Sequence, residues 1–273
     1  MPELPEVETV VRDLRVPLMG RRITAIRFSG ERLRRPWKRK WGSQLIGSTF
    51  SSIRRRGKWI IADLKPSGHL LIHLGMTGQL TIGSADSELL NHTHVIFDLH
   101  RGDRQLRFRD VRRFGSIEYY PFLAGIEQVL EKKLGPEPWD LPVDWSDRFS
   151  NSSRCIKSIL LDQRVVAGVG NIYADEALFL AGISPTTAGR RMSATLASRL
   201  RTAILSVLDH AIEKRGSTIR DYIGGSGLQG GFQQEFRVYG RTGKPCDRCS
   251  VPIACCRLAG RSTHYCPACQ RVT

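Results

Sequence analysis

The sequence predicts an α+β protein of more than one domain, and three features of its 273 residues predict it. A helical stripe opens the chain, short β-rich runs follow, and the helical period then returns ahead of two close cysteine pairs. Single domains commonly hold about 100–200 residues, so there is room for two and a small appendage.

In chain order, Leu4, Val7, Val10, Val11, Leu14 and Leu18 recur at the spacing of one helix face. Pro5 suits the first turn, where its missing N–H has no helical partner to lose. An amphipathic helix is therefore expected over 4–18. Between about 22 and 120 the runs ITAIRFSG, STFSSI, KWIIADL, HLLIHLG, QLTIG, HVIFDL, RQLRFR and SIEYY are separated by Gly, Ser and Asp turns. That pattern predicts an antiparallel sandwich or barrel. Residues 135–152, rich in Pro, Asp and Ser, read as a linker.

Beyond it, helices are expected at 154–163 and 171–181, joined by the glycine-containing VVAGVG. Two helices on a tight glycine turn can present backbone N–H groups to phosphate. A longer helix is expected over about 193–215, with Ser193 as N-cap, a stripe through Leu196, Leu200, Ile204, Leu208 and Ile212, and Gly216 as stop. Residues 216–231 are glycine-rich and read as a mobile loop. The predicted domains are 1–134, an antiparallel β-sandwich with an N-terminal helix; 135–152, a linker; 153–240, a helical domain; and 241–273, a cysteine module.

The net charge of +16, from 42 Lys+Arg against 26 Asp+Glu, points to a polyanionic partner. Arginine's planar fork suits phosphate, and phosphate neutralisation supplies affinity for nucleic acid. There is no apolar run near the roughly 20 residues of a membrane span, and residues 1–20 mix acids and bases where a signal peptide would be apolar. A protein without membrane association, in a reducing cytoplasm, is the expectation. Cys246-x2-Cys249 and Cys266-x2-Cys269, sixteen residues apart, have the spacing of a four-cysteine zinc module on a β-hairpin. With four protein ligands that zinc is structural. Cys155, Cys255 and Cys256 are left over.

Three basic clusters fall in the β region: Arg32, Arg34, Arg35, Lys38, Arg39 and Lys40; Arg54, Arg55, Arg56 and Lys58; Arg107, Arg109, Arg112 and Arg113. Such runs are usually solvated faces. The third stands out because Phe114 follows two arginines in a turn. A protein that swings a base out of the helix needs an apolar wedge to fill the vacated stack and a cation to hold the orphaned partner. Phe114 and Arg112 fit those roles, with Met76 in HLGMTG as a second wedge candidate. Arg261, in the cysteine hairpin, is placed to reach a backbone phosphate.

MPELPEVETV, LIHLGMTG, DVRRFG, GVGNIYADEALF and the terminal four-cysteine hairpin, in this order from Pro2 to Cys269, resemble the formamidopyrimidine-DNA glycosylase/endonuclease VIII family. PELPEVET favours the purine-directed branch over the pyrimidine-directed one, whose start is typically PEGPEI. The resemblance implies a base-excision repair glycosylase with AP-lyase activity that acts as a monomer on duplex DNA containing 8-oxoguanine or formamidopyrimidines. It implies a helix-two-turn-helix domain, and DNA lying between the β domain and the helical domain.

It also implies roles. Pro2, freed by removal of Met1, is the nucleophile. An α-amino group has a pKa of about 7.7–8.0 against about 10.4 for lysine, so more of it is unprotonated at neutral pH. Glu3 is the acid/base partner and Lys58 a hairpin lysine near the lesion. His92, Met76, Arg112, Phe114, Lys157, Asn171 and Arg261 contact DNA. Glu6, Glu176 and the loop residues Ser217, Thr218, Ile219, Arg220, Asp221 and Tyr222 serve lesion recognition. Glu3 and Glu6, read without the resemblance, are first-turn helix residues favoured by the macrodipole, and Glu176 is a structural helix acid. A non-catalytic damage-sensing DNA binder is the alternative from another class, and Pro2, Glu3 and Lys58 together argue against it.

Overall fold

A computed structural model describes residues 1–100, 103–218 and 224–271. The chain divides into two compact units: Met1–Lys132 with Lys214–Gly231, and Lys133–Glu213 with Phe232–Thr273. Among the described residues no helix is long and apolar enough to cross a membrane.

The first unit begins with α1 (Leu4–Leu18), whose stripe of Val7, Val10, Val11, Leu14 and Leu18 is wholly buried, as its spacing predicts. Two antiparallel four-stranded sheets follow. One has the order β1 (Ile23–Phe28), β6 (Thr93–Leu99), β7 (Arg104–Asp110), β5 (Gly78–Ser84); the other β2 (Thr49–Arg56), β3 (Trp59–Lys65), β4 (His69–His73), β8 (Ser116–Tyr120). Register places Ile60 opposite Ile72 and Ile72 opposite Ile117, so β-branched side chains stack across three strands. Those residues join Leu80, Val95, Phe97, Leu106 and Phe108 of the other sheet and the α1 stripe in one apolar core.

Two helices of this unit were hidden in the sequence. α2 (Lys40–Leu45) begins at the last residue of the first basic run. Its Trp41 and Leu45 are buried, and Trp41 meets Trp37 edge-on at 5.4 Å. The charge is the solvated side of a segment whose indoles close the core. α3 (Leu123–Glu131) buries only Ile126 and Leu130.

Residues 214–218 and 224–231, expected with the helical domain as part of a mobile loop, pack with the first unit. The reason is a set of ties to α1 and β5: Arg215 Nη2 donates to Asp13 Oδ2 (2.7 Å), Ser217 N to Glu6 Oε1 (2.7 Å) and Ile82 N to Gly225 O (3.2 Å). Here glycine serves close approach. A Cβ on Gly225 would sit 2.8 Å from Leu14 Cγ, and one on Gly230 only 2.3 Å from Gly216 O.

In the second unit α4 (Ile156–Leu160) is shorter than expected, α5 (Asn171–Ala181) matches its run, and α6 (Ala194–Glu213) carries the predicted stripe. The supposed linker is packed: Trp145 is fully buried, donates from Nε1 to Ala197 O (3.2 Å) and meets Phe149 edge-on. Pro and Asp here shape two short 3-10 turns that bury an indole against α6. At the end of the unit β9 (Ala254–Leu258) and β10 (Arg261–Tyr265) form a hairpin.

The α4–α5 connection is organised by Asp162. It accepts from Arg164 N (3.1 Å) and from the guanidinium groups of Arg164 and Arg154. The side-chain bond from Arg164, stronger here than the opposing effect of burial, holds its carboxyl down to about 2. A depressed carboxylate stabilises the fold above its ordinary pKa, and that contribution disappears as pH falls through the folded value. The melting-temperature difference between wild type and Asp162→Asn is therefore expected to be constant from pH 5 to 7 and to shrink towards zero between about pH 4 and 2.

Candidate active site and nucleic-acid interface

Glu3 is the N-cap of α1 and forms a reciprocal capping box with Glu6: the Glu3 carboxylate accepts from Glu6 N, and Glu6 Oε2 accepts from Glu3 N at 2.8 Å. Both acids are only 2 % exposed. Buried carboxylates need donors, and a helix N-terminus supplies them. Glu6 Oε1 in turn accepts from Ser217 N (2.7 Å) and Ser217 Oγ (3.0 Å), so one carboxylate spans from the first residues of the chain to the glycine-rich segment. Pro2 is buried beside this turn and Met1 is half exposed.

Lys58 is the second residue of the two-residue loop joining β2 to β3, and it is largely buried. A 3.1 Å ion pair from Arg55 Nε to Glu8 Oε2 fastens this hairpin to α1. Arg107 and Arg109 of the third cluster are structural: Arg107 donates to Ser84 O, Ser87 O and Glu88 O, and Arg109 to Asn91 O.

Arg112 and Phe114, in contrast, project from their turn. Phe114 is 44 % exposed, and the Arg112 guanidinium lies 4.7 Å from its ring centroid. With Met1, Arg32, Leu33, Arg34, His73, Gly75, Met76 and Arg113 they line a cavity of about 710 Å³. The HLGMTG and RRFG turns meet backbone to backbone, since a Cβ on Gly75 (φ +63°) would sit 2.5 Å from Phe114 C and Gly115 N. Only glycine allows that approach, which brings Met76 and Phe114 to one cavity with the chain's first residue. His92 is exposed with φ +67°, and its carbonyl accepts from Asp110 N at 3.0 Å. Ser217 and Thr218 form the anchored start of the loop, Thr218 Oγ1 accepting from Gly230 N (2.9 Å). Ile219, Arg220, Asp221 and Tyr222 lie outside the described residues.

In the second unit two expected contacts are interior groups. Lys157 is fully buried: Nζ is 2.6 Å from Asp175 Oδ1 and donates to Ser262 O (2.8 Å) and Thr263 Oγ1 (2.9 Å). It is held on the zinc hairpin and turned away from solvent, where a phosphate would lie. Asn171 Nδ2 donates to the same Ser262 O (3.1 Å), and Asp175 Oδ2 accepts from His264 N (2.9 Å). Glu176, expected near the lesion, is 3 % exposed and accepts from the backbone N–H groups of Arg237, Val238 and Tyr239. Burial raises its pKa against the pull of those donors. Arg261, next to Ser262, is exposed at the hairpin tip as expected.

The Sγ atoms of Cys246, Cys249, Cys266 and Cys269 lie within 4.8 Å of one another, with pairs at 3.4, 3.5 and 3.9 Å. A zinc–sulfur distance of about 2.3 Å gives a tetrahedral edge of roughly 3.8 Å, so the donor set fits one structural zinc ion. Backbone N–H groups of Arg248 and Cys269 point at Cys246 Sγ and Cys266 Sγ, both at 3.4 Å, as thiolates require.

Sequence reasoning missed Asp110, Thr77 and Asp175. Asp175 stands at i+4 from Asn171, one helix turn on, which was the available signal. Because Lys157 neutralises a buried carboxylate, Lys157→Ala is expected to lower unfolding free energy by about 3–5 kcal/mol, with Lys157→Met/Asp175→Leu much milder. Urea denaturation reads this. A phosphate-contacting lysine would instead leave stability unchanged and reduce the salt dependence of DNA binding.

Three family models match successive parts of the chain: the formamidopyrimidine-DNA glycosylase N-terminal domain over 1–117, the formamidopyrimidine-DNA glycosylase H2TH domain over 134–222, and the zinc finger found in FPG and IleRS over 243–272. The chain is 45 % identical to formamidopyrimidine-DNA glycosylase of Solibacter usitatus, with 99 % of this chain and 100 % of the relative covered. Among solved structures, a Lactococcus lactis FPG variant bound to Fapy-dG-containing DNA superposes with a TM-score of 0.92 at 36 % identity, covering 99 % of this chain and 100 % of the other. The L. lactis Fpg complex with abasic-site DNA gives 0.90 at 36 % identity, over 98 % and 99 %. Matched along its length in sequence, architecture and cysteine cluster, the chain belongs to the formamidopyrimidine-DNA glycosylase family.

Proposed function

We propose that this protein excises oxidised purines, 8-oxoguanine and formamidopyrimidines, from duplex DNA and then cleaves the strand at the resulting site. The observation that carries this reading is the cavity in which the chain's first residue meets Met76, Arg112 and Phe114. Met1, whose carbonyl acylates the Pro2 nitrogen, lines this cavity with side chains suited to replace an extruded nucleotide, which supports the reading. The L. lactis complexes with Fapy-dG and abasic-site DNA support the substrate class and the second activity.

In the proposed reaction, removal of Met1 frees the secondary amine of Pro2. Its lone pair attacks C1′, the glycosidic bond breaks, and the base leaves with a proton. Glu3 protonates the ring oxygen as the sugar opens, giving a cationic iminium. That iminium takes up the C2′–H bond pair as an enamine when the C2′ proton is lost, and the pair then expels the 3′-phosphate, which leaves with the C3′–O electrons; a second elimination expels the 5′-phosphate. The capping box supports Glu3's part, because it fixes the carboxylate at the turn that carries Pro2. Lys58 and Arg261 neutralise phosphate, Arg112 holds the unpaired base, and the loop starting at Ser217 reads the oxidised purine through main-chain groups.

Methionine-processed protein is expected to release 8-oxoguanine opposite cytosine and leave phosphate at both ends of the gap. Pro2→Gly and Glu3→Gln should each lose more than 100-fold in base release. Lesion-selective binding without cleavage would make the protein a damage sensor. Faster excision of thymine glycol than of 8-oxoguanine would move it to the pyrimidine-directed branch.

A further inference from the structure

Asp110 closes β7 immediately before the Arg112–Phe114 turn and is wholly buried. Its Oδ1 accepts from Thr77 Oγ1 at 2.5 Å and its Oδ2 from Gly115 N at 2.7 Å. Its backbone N–H donates to His92 O (3.0 Å), and its carbonyl accepts from His94 Nε2 (3.0 Å) and Arg113 N (3.3 Å). Thr77, the neighbour of Met76, accepts from Arg112 N at 3.0 Å on the same hydroxyl that donates to Asp110. One residue thus ties together the turns that carry Met76, His92, Arg112 and Phe114.

We propose that Asp110, acting through Thr77, is a positioning residue for base eversion: it holds the Met76 and Arg112–Phe114 turns at the spacing at which they enter the duplex together. This rests on the wedge reading of Phe114 and Arg112 given above. The direction of every bond follows from the carboxylate. Both oxygens face donors, so the threonine proton must point to Asp110, which leaves the threonine lone pair for Arg112 N. Arg113 at φ +57° adopts a conformation side chains rarely take, and its N–H bond to the Asp110 carbonyl helps hold it there. An amide in place of the carboxylate sets its NH₂ against Gly115 N or against the threonine hydroxyl. In the second case the hydroxyl proton must turn to another direction, and although a lone pair can still meet Arg112 N, residue 110 no longer fixes the threonine's orientation by accepting from it. Asn is isosteric and still breaks the set.

The test uses Asp110→Asn, Thr77→Val and Thr77→Ser with Phe114→Ala as reference. Readouts are 8-oxoguanine release from duplex, the fluorescence rise of 2-aminopurine beside the lesion as the stack opens, and cleavage of a single-stranded abasic site, which needs no eversion. Asp110→Asn and Thr77→Val are expected to slow duplex excision and the fluorescence rise together by about 10- to 100-fold, the scale of an ångström-level misplacement. Single-strand cleavage should stay within about threefold of wild type, Thr77→Ser should restore both duplex readouts, and the Asp110→Asn/Thr77→Val double variant should be no slower than either single one. If Asp110→Asn fails to fold, Thr77→Val against Thr77→Ser decides. Wild-type eversion in Asp110→Asn or Thr77→Val, or equal loss on single-stranded substrate, overturns the proposal. Normal duplex excision by Phe114→Ala would instead remove the wedge reading on which it rests.

Discussion

Two carboxylates are buried at the start of the first helix, and each is stable there because the other residue's backbone satisfies it. Glu3 and Glu6 close the first turn of α1 reciprocally, and the apolar face of the same helix is sunk in the sandwich core. A cap of this kind is worth about 1 kcal/mol in stability. Its larger consequence is spatial. Chain termini ordinarily fray, whereas here residue 2 is fixed to the interior by the helix that follows. The second oxygen of Glu6 passes the constraint on to Ser217, and Asp13 repeats the arrangement about two turns later with Arg215 and Ser226. The glycine-rich segment therefore meets α1, the helix that follows the proposed nucleophile, at Ser217 and again at Gly225 and Ser226.

The second unit solves a related problem with an ion pair. Burying Lys157 and Asp175 is costly in itself and tolerable only because the hairpin satisfies both. Ser262 and Thr263 accept from the lysine, and His264 donates to the aspartate. The pair fixes which residues of β10 lie inward, and so leaves Arg261 at the exposed end of the hairpin. Zinc closes the other end through four thiolates over a small core of Phe179, Val238 and Ile253.

Period-two and period-3.6 patterns mark the strands and long helices because one face of each is buried, and the cysteine spacing marks the metal site because a tetrahedron demands it. The Arg112–Phe114 turn was legible for the same local reason. Lys157 and Glu176 show where such reasoning stops: residue type tells that a charge is present, but only tertiary packing decides whether it meets solvent or a buried partner. Trp145 stood in a stretch whose Pro and Asp content imitates a linker, and Trp41 beneath a run of lysine and arginine. Asp110 reads as an ordinary turn residue, since its partners Thr77, His92 and Gly115 come from three separate segments.

The proposed nucleophile is the amine fixed by α1's first turn, which is to meet the sugar. Borohydride reduction of the protein on an 8-oxoguanine duplex, followed by proteolysis and mass spectrometry, locates the covalent bond. A single adduct on the nitrogen of Pro2 in chains lacking Met1, and none in chains that retain it, is the predicted result. An adduct on Lys58 or another lysine, or equal trapping of Met1-bearing protein, would contradict the account.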